Sequence, residues 1–423
     1  MKKSLFAVAA LSAIAGAAQA QSSVTVYGIM DAGYVGYNAR QSAAPAVGAA
    51  TSTALPVRTT GSGFGDGAES TSRLGFKGTE DLGGGMSAFF TVELGLNLDT
   101  AQVVNTGATQ NRQSFVGLKK NGLGDFAFGT QYTAVHNSVA ATDAGQTNNI
   151  VGDMIYTAFK SATGGNNGAT GANVGSSSSF GVTNGNGAGD SYTIRQNNML
   201  TVNTDTFAGF KGHAFYTLNN TNSNQTTATN TVTGGNNNFG GWGLGADYTW
   251  NKLFATVAYQ SFTAKNPYNT VTASAIGTAT GFGAGQGSLP GLNVKDNQFY
   301  AAATYDFGIL KAYAQYVNRK WTSQITPTEY LSRTGEQIGV RSFITPKVEA
   351  WAQGGLGKYA AYGNTSPSAN LTTWQVGSNY WLSKRTNFYA IYGQAGTSTV
   401  TAATAYSGGA NVNNYAVGVR HTF

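Results

Sequence analysis

The residues with the clearest chemical pattern are Arg73, Lys77 and Glu93, which fall within SRLGFKGTEDLGGGMSAFFTVE, from Ser72 to Glu93. In an extended chain successive side chains point to opposite sides. Arg73 and Lys77 therefore share one face with Gly75, and Leu74 and Phe76 take the other. After an acidic-glycine turn at Asp81 to Gly84, Thr91 and Glu93 oppose Phe90, Val92 and Leu94 in the same way. Such a pattern can sort ions along a surface, but it does not assemble a bond-making constellation. A soluble sandwich would turn the apolar face into its core and would rarely carry Arg and Glu in mid-strand repeatedly. An apolar face toward lipid with a charged face around enclosed water is the alternation of an outer-membrane barrel.

Other reactive residue types give no competing chemistry. His136, His213 and His421 are far apart in sequence, with neither an H-E-x-x-H motif nor a paired-His spacing. GGLGKY at Gly354 has Tyr359 where a phosphate loop needs Ser or Thr for magnesium. Asp190, Ser191 and His213 could meet across neighbouring strands as a hydrolytic set, but no serine lies in a G-x-S-x-G turn. There are no cysteines, hence no thiolate site and no disulfide framework. The expectation is a protein without catalytic residues, metal or cofactor.

The elements that position these charges are strands. Lys2 and Lys3, the apolar run Leu5 to Ala15, and Ala18-Gln19-Ala20 form an export leader, so residues 1–20 are expected to be removed and 21–423 to form one domain. No later stretch offers about twenty apolar residues, so any membrane span is built of strands. Glycine at 58 positions, with 22 Tyr, 22 Phe and 10% charged residues, fits aromatic strands joined by small-residue loops. Without the leader's two lysines, 23 basic residues stand against 18 acidic, a net of +5. These cations are scattered one or two to a strand, unlike the gathered patch that nucleic acid requires.

The alternation predicts about sixteen strands, each long enough for the nine to eleven or so tilted residues that cross a bilayer. They begin with Val24 to Tyr37, after which a long loop runs to Ala68. Thr133 to Gly189 reads mostly as loop, Tyr192 to Thr201 as the strand after it, and Asn413 to Phe423 as the last. Connections alternate between tight turns, such as Asn251-Lys252, Phe307-Gly308, Thr345-Pro346 and Ser383-Lys384, and long polar loops such as Thr263 to Lys295. Short turns on the periplasmic side and long loops outside are the barrel arrangement. Tyr248, Trp250, Tyr305, Phe307, Tyr380 and Phe388 crowd the short-turn ends, where aromatic rings favour the membrane interface. By parity Asp31, Glu93, Arg341 and Lys358 are expected on the pore wall. In the last strand Tyr415, Val417, Val419, His421 and Phe423 share a face, and the terminal Phe423 has the form of an outer-membrane assembly signal read by the insertion machinery.

Over essentially the whole mature chain the sequence resembles the general diffusion porins of Gram-negative outer membranes, particularly the beta-proteobacterial type. The resemblance rests on SVTVYGIMDAG at Ser23, SRLGFKGTEDLGGG at Ser72, RQSFVGLK at Arg112, GLGDFAFGTQYT at Gly122 and YAVGVRHTF at Tyr415. It implies an all-β, sixteen-stranded antiparallel barrel that assembles as a homotrimer. It also implies a third external loop folded into the pore, where wall arginines face loop acids. Arg73 matches a wall arginine and Lys77 lies on its face. The arginine of a GRQY-like motif is absent, because Thr130 follows Gly129. Arg112 and Arg195 are expected to substitute, although Ser114, Val116 and Leu118 share the parity of Arg112. Asp143 and Asp153 are the loop acids, in a loop that lacks the family's proline turn. Thr133 to about Phe159 is expected to fold inward and Ser161 to Gly189 to stay outside, so that deleting residues 161–187 leaves conductance nearly unchanged.

The function these residues imply is passive diffusion of small hydrophilic solutes and ions, with outer-membrane lipid and lipopolysaccharide as surroundings. A substrate-selective channel and an adhesive surface barrel are the alternatives, separable by solute block and by absence of conductance.

Overall fold

The computed structural model describes residues 23–42, 56–99, 111–158, 191–223, 235–265, 294–324, 327–362, 368–402, 405–407 and 409–423. The expected leader, residues 1–20, and the expected outer tract, residues 161–189, lie outside the described residues. Strands β1 (Ser23–Gln41), β2 (Val57–Asp66), β3 (Arg73–Gly83), β4 (Met86–Gly95), β5 (Asn111–Lys120) and β6 (Gly124–Tyr132) come first. Helix α1 (Ala134–Thr142) follows, then β7 (Arg195–Thr204), β8 (Phe210–Ser223), β9 (Gly235–Trp250), β10 (Leu253–Lys265) and β11 (Val294–Asp306). The remainder is β12 (Lys311–Ser323), β13 (Tyr330–Phe343), β14 (Val348–Tyr362), β15 (Ser368–Trp381), β16 (Thr386–Thr397), the small hairpin β17 (Val400–Ala402) and β18 (Ala405–Ser407), and β19 (Ala410–Thr422).

Seventeen of these segments form one antiparallel sheet. The sheet closes where β19 pairs with β1, from Ile29 opposite Thr422 to Gln41 opposite Ala410. The other edge of β1 is shared: its first half pairs with β3 and its second half with β2. β2 and β3 are thus two halves of one stave, and the seventeen segments make a sixteen-stave barrel. Closure removes every open edge, which a lipid-immersed sheet requires.

The alternation is inside out relative to a soluble protein. On β13 Ile338 is 72% exposed on the outer face, while its neighbour Gln337 is 2% exposed on the inner one. The short turns lie at one end, with Ser23 and Phe423. Gly308 takes φ of +89° there, and its amide donates to Oδ1 of Asp306 at 2.7 Å. A left-handed residue at that point reverses the chain within two positions, and only glycine enters the region without steric cost. Outward rings mark the same rim: Phe210 lies 4.3 Å from Tyr248, and Tyr305 lies 4.7 Å from Phe307.

Three local expectations are corrected. The stretch read as loop before Ala68 contains β2, whose Thr, Ser and Gly residues give little apolar alternation. Residues 192–194, read as strand, precede β7 and pack against the inward loop, Tyr192 and Ile194 being buried in its cluster. Ala134–Thr142, read as loop, is helical; six of its nine residues are buried, and Thr133 caps it by accepting from the amide of His136.

Candidate functional site

Residues 133–158 leave the rim after β6 and run around the inner wall, so the loop is held inside the barrel. The wall meets it with one inward glutamine on each strand from β10 to β15: Gln260, Gln298, Gln315, Gln337, Gln353 and Gln375, all buried. Three pairs of these are direct cross-strand partners: Gln260 with Gln298, Gln315 with Gln337, and Gln353 with Gln375. A glutamine offers a donor and an acceptor on one side chain, and each end is used. Gln353 accepts from the amide of Gly145 at 2.9 Å and donates to Asp153 at 3.1 Å. Gln337 accepts from the amide of Met154 at 2.6 Å. Gln375 donates to the carbonyls of Ile150 at 2.9 Å and Val151 at 3.0 Å. Backbone groups that would be stranded in the bore are satisfied in this way. Arg333 and Arg341 add to it, donating to the carbonyls of Met154 and Ala144, each at 2.7 Å.

Close approach of loop to wall depends on glycine. A Cβ on Gly393 would stand 1.7 Å from the carbonyl oxygen of Val151, and one on Gly355 would stand 2.5 Å from Cβ of Met154. Apolar loop residues fill the remaining space: Val135, Val139 and Ile155 pack with Tyr192, Phe215, Phe262 and Tyr300.

Beside the start of the loop, where His136 packs on Tyr132, the wall carries a further group of arginines. Arg112 donates through Nε to Oε1 of Glu93 at 2.7 Å and through Nη2 to the hydroxyl of Tyr132 at 2.8 Å. Arg73 places Nη1 3.8 Å from the same carboxylate and donates to the carbonyl of Thr71 and the hydroxyl of Ser70. Tyr27 donates to the other oxygen of Glu93 at 3.1 Å. The guanidinium of Arg195 lies 5.5 Å from the centre of the Tyr132 ring, and the ammonium of Lys77 lies 5.4 Å from that of Tyr27. Two guanidiniums thus share the single carboxylate of Glu93, and a third lies over the Tyr132 ring whose hydroxyl Arg112 engages, a local excess of positive charge. Arg112 reaches the inside despite sharing parity with Ser114 because the β4–β5 register shifts between Glu93 and Leu94, a bulge that turns one residue inward.

The structure therefore brings Arg73 and Arg112 together on Glu93 with Arg195 over the adjoining Tyr132 ring, and Lys77 follows four residues along β3 from Arg73 on the same inward face. It does not bring Asp143 and Asp153 to them. These acids are 3% and 4% exposed and are held by the loop's own amides. Asp143 accepts from the amide of Thr147, and Asp153 accepts from those of Ile155 at 2.7 Å and Tyr156 at 2.8 Å. Burial raises both carboxyls above the ordinary value of 3.8, and the charge of Asp143 raises Asp153 further. The expectation that they oppose the arginines is corrected: they shape the loop's turns against the Gln337 and Gln353 side of the wall.

Asp31 faces inward and lies beneath the turn at residues 67–72, accepting from the amide of Ser70 at 2.6 Å and from the hydroxyl of Tyr389 at 2.7 Å. Arg341 also faces inward, paired with Glu349 at 2.6 Å. Lys358 is a correction. It shares the outer face with Leu356, which is 65% exposed, while inward Tyr359 is fully buried. Phe423 closes the seam, exchanging backbone hydrogen bonds of 3.1 Å with Gly28 in both directions. Sequence reasoning missed Tyr27 and Tyr132, the partners of the cluster, and Arg319 and Arg333 on the wall. The parity of Arg333 with Gln337 on β13 was the available signal.

The histidines lie apart. His136 packs its ring 4.4 Å from that of Tyr132, and burial together with the nearby arginines lowers its pKa well below 6.5. His213 sits between Asn203 and Asp247, each at 2.8 Å, and His421 lies 2.8 Å from Thr386. Ser191 donates to the carbonyl of Met154, so it makes no set with His213.

The profile of the Gram-negative porin family matches residues 7–400. An outer membrane porin protein of Bordetella pertussis is 27% identical over all of both chains. Among solved structures, an anion-selective porin from Comamonas acidovorans superposes with a TM-score of 0.61 at 21% identity, over 95% of this chain and 100% of that one. OmpT of Vibrio cholerae, folded in vitro and in trimer form, gives 0.56 at 16% identity, over 95% and 99%.

Proposed function

The chain belongs to the Gram-negative porin family and forms a diffusion channel in the outer membrane, and from that premise we propose where and how its bore sorts solutes. The inward loop narrows the channel from the β10–β15 side, and Arg73, Lys77, Arg112 and Arg195 form the facing wall. Anions pass preferentially along that wall, because low-dielectric surroundings focus the field of charged side chains. The observation that carries this reading is the grouping of three guanidiniums with a single carboxylate, Arg73 and Arg112 on Glu93 and Arg195 over the ring of Tyr132. Transport is passive: the contacts are with solute in transit, and no group in the bore changes covalent state.

In this reading residues 1–20 are the export leader, Phe423 is the assembly signal, and the barrel works as a homotrimer, as supported by the trimer form of the Vibrio cholerae neighbour. Planar-bilayer recording tests the channel reading. Purified protein is expected to insert in equal ohmic steps, grouped in threes, with current proportional to salt concentration. Voltage-independent silence from folded protein would contradict it.

A further inference from the structure

Below the arginines, toward the short turns, the inner wall carries a feature that ion sorting does not require. Porin interiors are polar, yet Phe89 and Phe115 both point inward from neighbouring strands β4 and β5. Their register places them there: Phe89 is opposite Thr79 and Gly117, and Phe115 is opposite Thr91, itself opposite Lys77. The rings meet edge to face, with centroids 6.2 Å apart and planes at 76°. A Cβ on Gly117 would stand 2.5 Å from the Phe89 ring, so the absent side chain lets that ring lie along the wall. Both rings remain partly exposed to a recess of about 530 Å³.

The rim of this recess carries two lysines, several hydroxyls and one carboxylate, Asp125, which lies opposite Lys119 on the neighbouring strand and accepts from Asn203 at 2.7 Å. Lys77 and Lys119 line it, together with Thr25, Thr79 and Thr91. Lys119 is engaged, 3.9 Å from Asp205. Lys77 has no carboxylate partner among the described residues, and its recorded contact is the Tyr27 ring. Diagonal cross-strand neighbours such as Lys77 and Phe89 lie roughly 7–8 Å apart, a separation that one small ring bearing one carboxylate can bridge. The arginines stand about 13 Å further along the strand, so an anion leaving them meets Lys77 next.

We propose that this recess is a solute subsite for aromatic monocarboxylates, the ring resting on Phe89 and Phe115 and the carboxylate on Lys77. The apolar rings select against small inorganic anions, which cannot use them. The ammonium selects against neutral aromatics of the same shape. This rests on the reading of the bore as an open channel.

The test is block of chloride current in planar bilayers by benzoate, with acetate and benzamide as matched probes. Benzoate is expected to block saturably, at a concentration at least about tenfold below that required for either acetate or benzamide, since ring burial and edge contact together reach the size of one decade in affinity. Phe89→Ala combined with Phe115→Ala is expected to bring benzoate to the level of acetate, and Lys77→Met to bring it to the level of benzamide. Equal block by benzoate and acetate in the unsubstituted protein would overturn the subsite, and that comparison stands even where a variant fails to fold. Retention of benzoate block in a folded double variant would overturn it as well. A channel that conducts potassium chloride without preferring benzoate sinks this inference alone, whereas no conductance at all sinks the reading beneath it.

Discussion

Gln353 joins the two limbs of the inward loop: its Oε1 receives the amide of Gly145 at 2.9 Å, and its Nε2 donates to Asp153 at 3.1 Å. The loop is therefore fixed by wall side chains as much as by its own turns. A bore of fixed width results from that attachment, because the narrowing element cannot swing without stranding buried polar groups.

Replacing Gln353 with Leu preserves bulk but removes both contacts. Leaving a buried donor or acceptor unpaired costs about 1–3 kcal/mol. The expected outcome is a folded barrel whose open-channel current is noisier, read in single-channel recordings; unchanged noise would mean that the wall glutamines do not hold the loop.

At Gly393 the wall and loop backbones are so close that a methyl group would stand 1.7 Å from the Val151 carbonyl. Gly393→Ala must push the loop toward the bore, at an overpacking cost of about 1–3 kcal/mol. Conductance is expected to fall while barrel formation, followed by heat-modifiable gel mobility, persists.

The pair Glu93 and Arg112 is almost wholly buried, with side chains 4% and 7% exposed. Breaking a buried pair by removing one member costs about 3–5 kcal/mol, because the other charge is left uncompensated. Glu93→Gln is expected to lower the temperature at which the barrel unfolds on heated gels and to increase chloride conductance relative to potassium. A variant as heat-stable as the parent would refute the energetic role of the pair.

Asp153 supplies a pH dependence whose sign comes from its raised carboxyl. The folded loop keeps a proton that an unfolded chain releases near the ordinary value of 3.8. The folded loop is thus favoured as pH falls, and that contribution is lost as pH rises from 3.8 through the raised value. Current noise is expected to grow as the pH is raised above 3.8, and Asp153→Asn, which carries no charge to gain, is expected to flatten that rise.

Much of the barrel was legible because strand alternation has a period of two, which survives without knowledge of neighbours. Outward Val340 beside inward Arg341, and Val417 beside Ala416, read correctly from sequence alone. Around Arg112 the alternation was ambiguous, since a bulge is a property of two strands together and leaves no mark on either. Lys358 was misplaced in the run Gly354-Gly355-Leu356-Gly357, where glycines hide the parity and Leu356 alone reports the outer face. The path of the inward loop was the least legible part. It is set by glutamines and glycines spread over many strands, and no local stretch announces that Gln375 and Gly393 meet Val151. Asp143 and Asp153 were identified as loop acids, but their burial depends on that path, so their separation from the arginines could not be read in advance.

The most direct measurement is the reversal potential across a potassium chloride gradient, for the parent protein and for Arg73→Gln combined with Arg195→Gln. Both positions belong to the guanidinium group at Glu93 and Tyr132, and neither makes its shortest ion pair, which is that of Arg112 at 2.7 Å. The expected potential has the sign that marks chloride preference in the parent and moves toward zero or through it in the variant. A parent that prefers potassium, or a folded variant with the potential of the parent, would contradict it.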